Sequence, residues 1–137
     1  MQSTSDRFPG LAEDARLQLE TFVATTPGTL LALLTSGDGF EIAAYPRDLP
    51  IRQRLAAMSS SLQALAEAMV RETGLLRARN LIIECDGGTV IVLNVGNETP
   101  RLSFTVVAAA DKTLGHLLWA SRECCAWLER RLTAPAL

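Results

Sequence analysis

The chain has 137 residues, the size of one domain, and at this length burying roughly 68% of the unfolded surface gives an adequate core. With 48% hydrophobic and only 20% charged residues it lies at the apolar end of ordinary domains, so some apolar surface is expected to be shared with a partner. A net charge of -2 argues against the basic footprint that nucleic acid demands, and no run approaches the roughly 20 apolar residues that would insert into a bilayer.

Met1 to Gly10 is polar and lacks the charged-then-apolar order of a signal peptide. Residues 1–10 are therefore expected to form a flexible N-terminus ahead of a single cytoplasmic domain at 11–133. Lys112 is the only lysine, and this bias toward arginine hints at a GC-rich bacterial genome. Cys85, Cys124 and Cys125 fit no metal spacing and are expected to be reduced, buried thiols.

Leu11, Ala12, Ala15, Leu19, Phe22 and Val23 recur at helical spacing, with Pro9 and Gly10 at the start and Thr26-Pro27-Gly28 as the stop. Leu30 to Leu34 is a continuous apolar run and reads as a strand covered on both faces. Asp38-Gly39 supplies a tight turn, so Phe40 to Ala44 returns antiparallel. After the loop Tyr45 to Pro50, in which Asp48 is a candidate N-cap, a long helix runs from Ile51 to about Glu72. Asn80 to Cys85 and Thr89 to Val95 form a second hairpin about Asp86-Gly87-Gly88. Leu102 to Ala109 makes a fifth strand. Asp111 can cap a last helix with the stripe Leu114, Leu117, Leu118, Ser121, Cys124, Cys125, Leu128 and Leu132. The order α-β-β-α-β-β-β-α implies an α+β fold of the profilin/longin type. Its five-stranded, mainly antiparallel sheet would be sandwiched between the long helix and the other two, with the first, third and fourth strands apolar on both faces.

In the long helix, Ile51, Leu55, Met58, Leu62, Leu65 and Met69 alternate at steps of four and three, a seam expected to cover the sheet. Beside it runs a line of small residues, Ala57, Ser61, Ala64 and Ala68, that would let a second helix come close. These residues are either simple helix formers, or packing beneath a loop, or a homodimer face. The third strand, with Leu81 and Ile83, could pair with its symmetry mate if it lies at a sheet edge.

Catalytic signatures are missing. The sequence holds neither a phosphate-binding Gly-x-x-x-x-Gly-Lys-Ser/Thr loop nor Gly-x-Gly-x-x-Gly, and Gly37 and Gly39 read as turn residues. His116 is the sole histidine and falls in the last helix beside Gly115 and Leu117, a packing or surface position rather than a relay. No Cys/His pair has ligand spacing, so no metal and no cofactor is expected. Trp119 and Trp127 lie off the main stripe of the last helix, at the core edge or as interaction anchors.

The order of elements carries a family resemblance when taken with particular segments. These are Thr26-Pro27-Gly28, Asp38-Gly39-Phe40-Glu41-Ile42-Ala43-Ala44, Arg54-Leu55-Ala56-Ala57-Met58, Val92-Leu93-Asn94-Val95-Gly96 and Leu114-Gly115. From about Leu11 to Leu132 the chain resembles a Roadblock/dynein light-chain domain, particularly its bacterial members. The resemblance implies a non-enzymatic regulator of small Ras-like GTPases. It also implies dimers in which long helices pack antiparallel and third strands join two sheets. The gliding-motility member acts as a GTPase-activating partner and other members are scaffolds; the family shares no catalytic residues that could be carried over. Arg47, Arg52 and Arg54, near the start of the long helix, are candidate partner contacts or a solvated basic edge. An assembly scaffold and a small-ligand sensor are the rival functions.

Overall fold

Leu102–Ala109 alternates large apolar side chains (Leu102, Phe104, Val106) with small polar ones (Ser103, Thr105), and in an extended strand these point to opposite faces. That alternation divides the protein into two unequal halves. The computed structural model of the chain describes residues 10–96, 101–110 and 113–133. The elements are α1 (Leu11–Thr25), β1 (Thr29–Thr35), β2 (Glu41–Tyr45), α2 (Arg52–Thr73), β3 (Asn80–Cys85), β4 (Gly88–Val95), β5 (Leu102–Ala109) and α3 (Leu114–Thr133). The five strands form one sheet in the order β2-β1-β5-β4-β3, antiparallel at every junction. The α+β fold and the element order are those expected from the sequence.

On one face of the sheet, α1 and α3 enclose the main core. Leu11, Ala15, Leu19 and Phe22 of α1 and Leu117, Cys124, Cys125 and Leu128 of α3 meet Leu34, Ile91, Leu93, Phe104 and Val106. Phe104 is fully buried and stands edge-to-face against Phe22, with ring centroids 5.5 Å apart at 76°. Arg131 Nε reaches Asp14 Oδ2 at 2.7 Å and ties the two helices together.

The opposite face, under α2, is thin and partly polar. Its apolar cluster is only Leu33, Ala44 and Ala56, with Leu55 against it. Beyond these, α2 is held by side-chain hydrogen bonds. Ser59 Oγ and Thr105 Oγ1 lie 2.7 Å apart in a buried pair, Ser103 Oγ donates to Gln63, Ser60 Oγ donates to the Gly37 carbonyl at 2.8 Å, and Glu67 pairs with Arg101.

Several expectations are corrected here. The seam Met58, Leu65 and Met69 does not cover the sheet; Ala56 and Ser59 are the buried residues of α2. Their small side chains let the helix sit close to Thr105 and leave no room for a large apolar row. The strands are not uniformly apolar on both faces, since Thr35, Asn94, Ser103 and Thr105 face or border α2, and Leu30 and most of β3 are exposed. Asp48 is not the N-cap; Ile51 holds that position with no side-chain bond, and the first turn is anchored instead by Arg52 Nε on Glu41 Oε1 at 2.7 Å. Strand β2 starts at Glu41, leaving Phe40 exposed. Cys85 is exposed, whereas Cys124 and Cys125 are buried. Thr113 caps α3, its hydroxyl accepting the His116 N–H at 3.3 Å, while the candidate cap Asp111 and the N-terminus through Pro9 lie outside the described residues.

Candidate interaction surface

An α-helix turns about 100° per residue, which puts Met58, Leu65 and Met69 within roughly 40° of one another and about a third of a turn away from the row Ser59, Gln63. Because the polar row is fixed to the sheet, the apolar row must point outward. It does: Met58 is 59% exposed, Leu65 60% and Met69 64%, an arrangement that runs the length of the helix from Ile51, itself exposed. Of the small-residue line, Ala57, Ser61 and Ala64 are exposed and Ala68 is half-buried. Gly74 ends α2 in the left-handed conformation (φ 76°), its N–H on the Arg71 carbonyl, and turns the chain into β3.

Strand β3 is the last in the sheet. It pairs with β4 in strict register from Asn80 opposite Leu93 to Cys85 opposite Gly88, and its other edge has no strand beside it among the described residues. Leu81 is half-buried, and Ile82 and Ile83 are 37% and 38% exposed. The open edge of β3 and the outward row of α2, Met58, Leu65 and Met69, are thus two unpartnered surfaces with apolar side chains, Ile83 lying on the α2 side of the sheet and Ile82, opposite Ile91 of the main core, on the other.

The three arginines near the start of α2 differ in their state. Arg52 is engaged by Glu41 and also donates from Nη1 to the Leu49 carbonyl at 3.3 Å, whereas Arg47 and Arg54 are exposed. Arg47 and Arg52 line a shallow groove of about 170 Å³ together with Glu13 and Arg16. Within it Arg16 hydrogen-bonds Glu13 at 2.9 Å and holds that carboxyl below the usual carboxylate range.

The histidine and the buried cysteines stand apart from this surface. His116 is exposed beside Trp119, with rings 6.5 Å apart, and Trp119 is exposed while Trp127 packs on the core edge. Burial pushes the Cys124 and Cys125 thiols up to about 12, which keeps them protonated and poor nucleophiles. No group of three or more His, Cys, Asp or Glu side chains is placed to hold a metal among the described residues, and no helix among them is long and apolar enough to cross a membrane.

The sequence pattern that defines the Roadblock/LC7 domain matches residues 17–108, which run from α1 to the end of β5. The chain belongs to the Roadblock/LC7 domain family. No curated protein matches the chain in sequence. Among solved structures, it is similar to a Roadblock/LC7 domain from Streptomyces avermitilis, at 20% identity, 87% of this chain and 98% of that one, with a TM-score of 0.78. The gliding protein MglB from Thermus thermophilus gives 20% identity, coverage of 91% and 93%, and a TM-score of 0.78. A structure of MglB with a tetrameric arrangement gives 21% identity, coverage of 91% and 92%, and again 0.78. At these identities the likeness is one of fold, and it extends over nearly the whole of each relative.

The outward row Met58, Leu65, Met69 and the exposed Ile82 were not singled out by sequence reasoning as contact residues. A signal for them exists in Ser59, Gln63 and Glu67, a polar row at steps of four. It requires a polar counterpart, and Ser103 and Thr105 in β5 supply one.

Proposed function

We propose that this protein is a non-enzymatic regulator that forms a homodimer through α2 and β3, binds a small Ras-like GTPase, and promotes its GTP hydrolysis. The observation that carries the reading is the outward apolar row Met58, Leu65 and Met69 of α2, together with the open edge of β3. A two-fold axis beside it would bring both α2 helices together, with Ala57, Ser61, Ala64 and Ala68 allowing close approach, and would pair β3, through Leu81 and Ile83, with its copy. Support for self-association comes from the related MglB structure with a tetrameric arrangement. Support for the GTPase partner comes from the family and from the gliding protein among its structural relatives.

In such a complex the dimer acts by ordering the GTPase switch loops around the nucleotide rather than by supplying a nucleophile. Arg47 and Arg54, exposed beside the α2 start, would contact an acidic partner surface, with Arg52 held on Glu41 between them. The test uses a small Ras-like GTPase from the same organism, loaded with GTP or GDP, and follows binding and hydrolysis with the dimer in stoichiometric amount. Acceleration of roughly tenfold or more, about 1.4 kcal/mol of barrier, is expected, and alanine at Arg47, Arg52 and Arg54 together is expected to reduce it. Binding without acceleration would make the protein a scaffold. Failure to bind either nucleotide form would overturn the GTPase reading.

A further inference from the structure

A second concave site lies away from the outer face of α2. At the end of the sheet, the chain leading into β3, the end of β4, the start of β5 and the middle of α3 enclose a cleft of about 420 Å³. Four arginines line it, Arg77, Arg79, Arg101 and Arg122, against two carboxylates, Glu67 and Glu129. A net positive cleft stands out in a chain whose net charge is -2.

The charges are not balanced in pairs. Glu67 neutralises Arg101, and Glu129 accepts the Gly96 N–H at 3.2 Å. Arg122 donates to a neutral group, the Asn80 amide oxygen, at 2.7 Å when that amide is turned so that its nitrogen faces the Arg79 carbonyl. Among the described residues, the guanidiniums of Arg77 and Arg79 have no carboxylate within ion-pair reach. Beside the Arg101–Glu67 pair, three guanidiniums thus share the cavity with the single carboxylate of Glu129, an excess of two positive charges among the described residues.

The backbone that carries them is fixed. Asn94 hydrogen-bonds the Ala78 carbonyl through its side chain, and its own N–H meets the Arg79 carbonyl at 3.3 Å, while its carbonyl accepts from the Cys125 thiol at 3.3 Å. Asn94 therefore links the segment before β3 to α3 and holds both sets of arginines across the cleft. Rigid forks of N–H donors match the oxygens of phosphoryl groups in pairs.

We infer that this cleft binds a phosphoryl group carrying at least two negative charges. A single carboxylate would neutralise only half of the excess of two positive charges, whereas a divalent oxyanion matches it. The volume exceeds that of one phosphate and lies in the range of small-ligand pockets, and Ala78, Leu93 and Ala126 supply apolar wall for the rest of the molecule. No aromatic side chain lines it among the described residues, so a base-stacking nucleotide is disfavoured against an aliphatic or sugar phosphate. The site is independent of the GTPase reading, because it uses neither the outer face of α2 nor Arg47 and Arg54.

The test is calorimetric titration of the full chain with inorganic pyrophosphate at low and at physiological salt, with backbone amide NMR shifts to locate the site. Saturable binding of one pyrophosphate per chain is expected, with shifts concentrated at Ala78, Asn80, Gly96 and Ala126. The Arg77→Ala/Arg79→Ala variant should bind at least tenfold more weakly with an unchanged melting temperature, since both residues are exposed. Arg16→Ala, on α1 and paired with Glu13 and Glu20, should bind as the wild type does. A phosphoserine peptide is the second arm: tighter binding of it than of pyrophosphate assigns the phosphoryl group to a protein, and the reverse order assigns it to a small molecule. Equal binding of an unphosphorylated glutamate peptide, equal loss in Arg16→Ala, or no saturation by either phosphoryl probe would overturn the proposal.

Discussion

Replacing Thr105 by Val removes one hydroxyl from the contact between α2 and the sheet while keeping the shape of the side chain. Ser59 is 2% exposed and Thr105 1%, and their hydroxyls meet at 2.7 Å, so the truncation strands the Ser59 hydroxyl away from water. An unsatisfied buried hydroxyl costs about 1–3 kcal/mol, and Ser59→Ala should cost a similar amount from the other side. The double variant loses both partners together and should cost less than the sum of the two single changes, the difference being a coupling energy of about 0.5–3 kcal/mol. Urea unfolding of the four proteins at one protomer concentration measures it, the fixed concentration being needed because self-association adds to apparent stability. Additive single costs, with a double variant as unstable as their sum, would refute the idea that a satisfied polar pair attaches α2 to the sheet.

Two neighbouring turn glycines should respond oppositely. A Cβ at Gly88 would collide with the Ala108 carbonyl oxygen, whereas one at Gly87 meets nothing within 4 Å. Gly88→Ala is therefore expected to lower the unfolding free energy measured in urea by more than about 2 kcal/mol, and Gly87→Ala to change it little. Thiol labelling of the folded protein with a disulfide reagent at pH 8 should modify Cys85 rapidly and spare Cys124 and Cys125 until unfolding. Burial raises the folded-state values of those two thiols from 9.0 to about 12. The unfolded chain thus releases their protons first, so their contribution to stability is complete below about pH 9 and is lost as pH rises toward 12. Denaturation across that window should show a decline that Cys124→Ser/Cys125→Ser lessens.

The half of the fold built by α1 and α3 was legible because its signals are local and mutually consistent. The stripe from Leu114 to Leu132 proved to be the helix face packed on the core, and Leu11, Ala15, Leu19 and Phe22 likewise. The orientation of α2 was not legible from α2 alone, since a four-and-three seam specifies a packing face without saying whether a sheet or a second chain fills it. What decides is β5, where Ser103 and Thr105 make one face of the sheet polar and draw Ser59 and Gln63 toward it. The arginine cleft was hidden for another reason. Arg77 and Arg79 are some 22 to 45 positions from Arg101 and Arg122, and only the sheet order and the Asn94 bonds bring them to one cavity.

The account turns on which face of α2 is free. Light-scattering mass in solution, measured on the wild-type chain and on Leu65→Glu, tests this most directly. A glutamate at this 60% exposed position leaves the fold intact and places a charge in the centre of the proposed two-fold contact. The account predicts the mass of a dimer for the wild type and that of a folded monomer for the variant, with Ala64→Glu behaving alike. A monomeric wild type, or a variant that remains dimeric, would contradict it.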